Sequence, residues 1–221
     1  MNYFVTGTDT GVGKTLISCA LLHGFAAQGK RVIGMKPVAA GCNGDGQNED
    51  ALQLLAAGNV TADYGQINPY CFTPAIAPHI AAQRAGVTID ISVIAKAYKE
   101  LAENAELVIV EGAGGLLVPL DAQRDCAGLA KELALPVILV VGMRLGCLNH
   151  ALLTVEAIAA RGLTLSGWVA NVVDAGMDFI EENVAALQQR IAAPLLGVVP
   201  YLLHADACVA AGQLHLERLE P

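Results

Sequence analysis

The sequence predicts a doubly wound α/β fold: a mainly parallel sheet with helices on both faces. Two observations carry that expectation. Short runs of apolar residues alternate with longer amphipathic runs along the chain, and strands apolar on both faces belong in a covered parallel sheet. The first apolar run also passes through a glycine-rich turn into a helical stretch, the order of a phosphate-binding unit. At 221 residues the chain is long enough to bury a substantial core, and 1–221 reads as a single domain.

The apolar runs place strands at Tyr3 to Thr6, Arg31 to Met35, Leu107 to Val110, Val137 to Val141, Leu165 to Val172 and Leu195 to Val199. Helices are expected at Lys14 to Gln28, Glu49 to Ala57, Ile91 to Asn104, Ala127 to Leu133, Leu148 to Ala160 and Asp178 to Ile191. Gly29, Gly162 and Pro194 are natural stops. Two stretches interrupt the alternation. Residues 39–48 form a glycine and amide loop, and residues 59–88 read as ordered loop with a short helix. Long loops in a compact fold tend to be functional. The tail from Leu203 has no clear period.

The turn is Thr6-Gly7-Thr8-Asp9-Thr10-Gly11-Val12-Gly13-Lys14-Thr15. Its backbone N–H groups and the following helix dipole favour a phosphate. Gly11, Val12 and Gly13 form the cradle, Lys14 adds a mobile charge, and the Thr15 hydroxyl suits a Mg²⁺ shared with the phosphates. The fold expected is therefore that of a P-loop NTPase. The standard pattern wants glycine at position 8, where threonine stands; Gly7 comes one residue early. The bland reading is a glycine-rich turn with an exposed lysine.

Composition narrows the partners. The formal charge of −8 argues against nucleic acid, which needs clustered Lys and Arg. Apolar runs are too short to span a bilayer, which takes about 20 residues as a helix, and no secretory signal is visible. With 54% hydrophobic and only 15% charged residues, part of the surface is expected to be covered by a subunit partner or by small apolar groups. The six cysteines show neither zinc nor disulfide-framework spacing and read as buried free thiols in a reducing cytosol.

Ligands of such folds bind beyond the carboxyl ends of the strands. Lys36 follows the second strand and is either a second cation over the crevice or a solvated lysine. Two lysines would stabilise an anionic transition state better than one. Glu111 ends the third strand, as a magnesium-binding carboxylate does in nucleotide hydrolases, or is a plain surface carboxylate. Asp50 is another metal candidate or a helix cap, and Asp9, inside the loop, is also placed within reach of Mg²⁺. Asn171 can read a base edge, and Pro200, Tyr201 and Leu202 can wall a base pocket; turn formation is the alternative for both.

Together these segments resemble the dethiobiotin synthetase family. The matching stretches are Phe4 to Thr15, Lys36-Pro37-Val38, Asn68-Pro69-Tyr70, Pro78-His79, Glu111 to Gly115, Leu145 to His150 and Gly167 to Asn171, in family order over nearly the whole chain. The resemblance implies an ATP- and Mg²⁺-dependent cyclo-ligase of biotin biosynthesis. It joins CO₂ to 7,8-diaminopelargonic acid through a phosphorylated carbamate, releasing dethiobiotin, ADP and phosphate. Lys14 and Lys36 would be catalytic, and Thr15, Asp50 and Glu111 would hold the metal. Residues 11–15, Asp50, Glu111, Asn171 and Pro200, Tyr201 and Leu202 would bind ATP. Thr10, Lys36, Ala40 and Gly114 would touch the diamine substrate, with Leu145 and Asn149 supplied by the partner of a cytoplasmic homodimer. Ala40 departs from the serine often found there, and Val172 from an aspartate. The alternative is a P-loop ATPase switch or partitioning protein acting by nucleotide-dependent dimerisation. Such proteins usually carry an early second lysine in the loop, which residues 7–10 lack.

Overall fold

Residues 1–219 are described by the computed structural model. The first half runs β1 (Asn2–Gly7), α1 (Lys14–Ala27), β2 (Val32–Met35), β3 (Val38–Ala40), α2 (Glu49–Ala57), α3 (Tyr64–Ile67), β4 (Tyr70–Phe72), α4 (Pro78–Ala85) and α5 (Ile91–Asn104). It continues with β5 (Leu107–Gly115), α6 (Cys126–Glu132), β6 (Val137–Met143), α7 (Cys147–Ala160), β7 (Leu165–Val172), α8 (Ile180–Gln188), β8 (Leu195–Val199) and α9 (Ala207–Ala211). A 3₁₀ turn follows at Leu216–Arg218.

Six strands form one parallel sheet in the order β2-β5-β1-β6-β7-β8. Alternate residues of each strand serve opposite faces. In β1, Tyr3 and Val5 pack with α1 and α9 residues such as Ile17, Leu21 and Ala210, while Phe4 packs with Ile94 and Leu101 of α5 and Leu129 of α6. In β6, Ile138 and Val140 join the α1 side, while Leu139 and Val141 meet α7 and α8 through Ala151 and Leu187. Helices thus cover both faces, and this is why the strands are apolar throughout.

Several boundaries differ from the periodicity. β5 runs on to Gly115 rather than ending at Val110, and β1 pairs with it as far as Gly7↔Gly115. Glycine-rich sequence hid this extension because it carries no side-chain pattern. The stretch 59–88 holds α3, β4 and α4, more than one short helix, and β3 pairs with β4 in a separate parallel two-stranded sheet. The tail forms α9 and the 3₁₀ turn, with Leu216 and Leu219 buried. The cysteine expectation is corrected in part. Ala39 lies opposite Cys71 in the small sheet, which brings Cys42 and Cys71 to a Cα separation of 6.1 Å and into a disulfide. Cys19, Cys126 and Cys147 are free and buried, and Cys208 is free and exposed.

Candidate active site

The carboxyl ends of the parallel strands meet at one edge, and β1, flanked by β5 and β6, sits where the connections diverge to both sides. Three chain segments converge there: the β1–α1 loop, the residue after β2 and the end of β5. Gly13 initiates α1 with φ of 84°, a left-handed conformation that favours glycine. A Cβ there would collide with the side-chain amide of Asn171. The loop is braced from the neighbouring strands: the amide nitrogen of Asn171 donates to the Val12 carbonyl at 2.9 Å, and Thr8 N–H donates to the Val140 carbonyl at 3.0 Å. Lys14 is 7% exposed, and its ammonium donates back to the Asp9 carbonyl at 3.0 Å.

Lys36 is no solvated strand-end lysine. It is 5% exposed, and its Nζ lies 2.5 Å from Glu111 Oε1 and 3.0 Å from Asp50 Oδ2. Glu111 is 0% exposed, which removes the surface-carboxylate reading. Its Oε1 also accepts from the Thr15 hydroxyl at 3.0 Å, while Oε2 is buried with no hydrogen-bond partner among the described residues. Asp50 does not cap α2; Asn48 does, its side chain accepting from Ala51 N–H. That leaves the Asp50 carboxylate for Lys36. Thr15, Lys36, Asp50 and Glu111 therefore form one contiguous network drawn from four segments.

The charges tune one another. Burial favours the neutral Lys36 amine, but Glu111 and Asp50 outweigh it and hold its pKa above the ordinary 10.5. Lys14 makes no such ion pair among the described residues, so burial, reinforced by repulsion from Lys36, outweighs the more distant pull of Glu111 and Asp50 and lowers its pKa. Burial raises the Asp50 pKa, yet Lys36 more than reverses this and the net shift is downward. Cys126, buried nearby, is pushed up to about 11 by burial and stays a thiol.

A cleft of about 480 Å³ opens beside this network. Thr10, Lys36, Ala40, Asp50 and Gly114 line it, as do Asn48 and the α4 entry from Ala75 to Pro78. Gly114 has φ of 64°, and a Cβ there would press on Val118. A second cleft of about 420 Å³ adjoins Gly13 and Thr15 and runs between α1, α2 and the segment before α9. Pro200 and Tyr201 are exposed and Leu202 is partly buried at the far end of the strand edge. Leu145, 97% exposed, and the exposed Asn149 stand on the outer side at the start of α7 and do not line the Lys36 cleft of their own chain. Sequence reasoning gave no role to Asn48, nor to Asn68, which stood only within a stretch of the family resemblance. Asn68 Nδ2 donates to the Lys36 carbonyl at 2.6 Å and so fixes the backbone of that residue. The Asn68-Pro69 turn was the signal, but its target is remote in sequence.

The AAA domain family model fits residues 1–207. The ATP-dependent dethiobiotin synthetase of Nitrosospira multiformis is 56% identical over 217 residues, 98% of this chain and 96% of that one. The synthetase of Aromatoleum aromaticum is 55% identical, covering 97% and 96%. The chain belongs to the ATP-dependent dethiobiotin synthetase family. Its fold is that of P-loop NTPases: the MinD cell division protein of Aquifex aeolicus superposes with a TM-score of 0.56 at 18% identity, over 96% of this chain and 87% of that one. Chloroplast FtsY from Physcomitrella patens gives 0.51 at 19%, over 100% and 65%. At that identity the likeness concerns fold alone. In this chain the loop with threonine at position 8 stands beside the buried Lys36–Glu111 pair, and residues 7–10 carry no second lysine.

Proposed function

We propose that this chain forms dethiobiotin from 7,8-diaminopelargonic acid, CO₂ and ATP, with residues 1–221 acting as one functional unit. The observation that carries the reading is the Lys36–Glu111–Asp50 network set between the phosphate loop and the 480 Å³ cleft, in a chain of this family.

One substrate amine takes up CO₂ and loses a proton to give a carbamate. A carbamate oxygen attacks the γ-phosphorus and ADP departs. The second amine then attacks the carbamate carbon, the C–O bond to phosphate breaks, and the ureido ring closes. Such chemistry needs alignment and neutralisation of charge more than a protein nucleophile. Gly11, Val12 and Gly13 offer N–H groups to the phosphates, and Lys14 exchanges its Asp9 carbonyl for them. Lys36, held cationic by its two carboxylates, faces the carbamate and the phosphoryl group in flight. Thr10, Ala40 and Gly114 wall the diamine; Ala40 offers a methyl group where a serine would offer a hydrogen bond.

Thr15, Asp50 and Glu111 are hard oxygen donors that suit Mg²⁺. The partnerless buried Oε2 of Glu111 supports this assignment, because a buried carboxylate oxygen without a donor is costly. When bound, the metal would neutralise phosphate charge. Asn171 and Pro200 to Leu202 are the proposed base-side contacts. Asn171 spends its amide nitrogen on the loop, so its role there is bracing as well as recognition. Leu145 and Asn149 are proposed to complete the substrate site of a second copy. The exposure of Leu145, Leu153 and Leu117 supports a covered face. A cytoplasmic setting fits the family's metabolic role.

ATP turnover should depend on both diaminopelargonate and bicarbonate, with dethiobiotin as product. Equal turnover without the diamine would sink the reading. Lys36→Ala should lower the rate roughly 10²–10³-fold, as removal of other charge-stabilising donors does, while ATP still binds.

A further inference from the structure

The β1–α1 loop carries an acidic residue where an anion is to bind. A free carboxylate at Asp9 would repel a triphosphate held by Gly11 to Lys14. Its two oxygens are both engaged. Oδ1 accepts from the Thr10 N–H at 2.7 Å, and Oδ2 accepts from Arg144 Nη2 at 2.6 Å. The Asp9 carbonyl is the acceptor for Lys14. One residue thus ties together the diamine-side threonine, the phosphate-side lysine and a guanidinium from the other side of the site.

Arg144 comes from the turn between β6 and α7. Its carbonyl accepts from Cys147 N–H at 3.0 Å in the turn that precedes α7, while its side chain reaches back across the strand edge to Asp9. The neighbouring residue is the exposed Leu145. The loop is also attached to β6 through Thr8, whose hydroxyl accepts from Gly142 N–H at 3.4 Å. A Cβ on Gly142 would press on Val12, so the two segments lie in close contact. Arg144 is the charged end of that seam.

We propose that Arg144 is a positioning residue for the phosphate loop: it neutralises Asp9 and holds it turned away from the incoming phosphates, fixing the Asp9 backbone on which Lys14 rests. The assignment builds on the nucleotide reading above. It also makes the β6–α7 turn, with Leu145 on it, a route by which a partner contact would reach the nucleotide site.

Four variants test it: Arg144→Met, Arg144→Lys, Asp9→Asn and the double variant Asp9→Asn/Arg144→Met. ATP and ADP affinities are measured by calorimetry, and amide exchange of residues 8–13 is followed without nucleotide. Arg144→Met should weaken ATP binding about fivefold, the upper range for a half-exposed ion pair, and speed exchange at Thr10. Arg144→Lys should recover most of the affinity. In the Asp9→Asn background the Arg144→Met change should cost less than about twofold, because the charge it balanced is gone. An undiminished loss in that background would make Arg144 a direct phosphate ligand and overturn the proposal. Unchanged affinity together with unchanged exchange in Arg144→Met would overturn it too. Failure of the wild type to bind any nucleotide defeats the functional reading instead, and the exchange arm still decides whether Arg144 holds the loop.

Discussion

Replacing Lys36 by methionine removes the cation from the most buried ion pair of the site while keeping the volume and flexibility of the chain. Glu111 is 0% exposed and would retain only the Thr15 hydroxyl on Oε1, with Oε2 already partnerless. Removing one member of a buried pair typically costs about 3–5 kcal/mol, because the survivor stays charged and desolvated. Asp50 adds little to that figure, since its side chain is 42% exposed and water can solvate it. For a chain of this size the loss corresponds to a fall in Tm of roughly 6–20 °C. Urea and thermal unfolding, followed by circular dichroism without nucleotide or Mg²⁺, would read it. Glu111→Gln should cost less, because Lys36 keeps Asp50 at 3.0 Å. The double variant Lys36→Met/Glu111→Gln should regain more than half of the single loss. A Lys36→Met variant destabilised by less than about 1 kcal/mol, far below the usual cost of an orphaned buried charge, would refute the reasoning. A double variant as unstable as the sum of the singles would refute it as well.

Alkaline pH should erase the same contribution. The folded pKa of Lys36 lies above its ordinary 10.5, so its stabilisation is fully present below that value and lost as pH climbs through the folded one. The stability gap between wild type and Lys36→Met should therefore stay constant up to about pH 10 and close above the ordinary lysine pKa; a gap that closes near neutrality would contradict the pairing. Reduction of Cys42–Cys71, which closes a loop with a sequence separation of 29, should lower stability by roughly 3–4 kcal/mol on the chain-entropy account. Denaturant melts with and without dithiothreitol measure this, and coincident curves would show that the bond constrains nothing. Leu145→Glu should place a charge on the proposed subunit contact and convert a dimer to monomer in sedimentation, while the subunit itself stays folded, because the side chain is 97% exposed on the single chain. A wild type that sediments as a monomer at all concentrations would end the dimer reading.

The large sheet was legible because each strand and helix announces itself within a few residues. Glu49–Ala57, Ile91–Asn104, Leu165–Val172 and Leu195–Val199 have the bounds that apolar period alone gives. The small sheet was not, since β3 and β4 are three residues each and define themselves only by pairing. The extension of β5 through Gly112 to Gly115 was lost for the opposite reason: glycines pair as well as other residues but leave no pattern.

The site divides along the same line. Sequence alone determined the candidate phosphate loop, because a strand, a glycine turn and a helix N-terminus are contiguous and the N–H groups suited to an anion belong to that segment. It also determined which residue types stand at the strand ends, and so which chemistry was available. Only tertiary structure decided what those residues are. Lys36 and Glu111 lie 75 positions apart and are joined through parallel β2 and β5, which buries both and makes each depend on the other. Asp50 became a partner of Lys36 when Asn48 took the cap, and Asn171 became a brace for Val12 across a separation of 159. Cys42 and Cys71 became a bridge because β3 found β4. Burial and pairing are relations between distant segments, and side-chain charge states and roles follow from those relations.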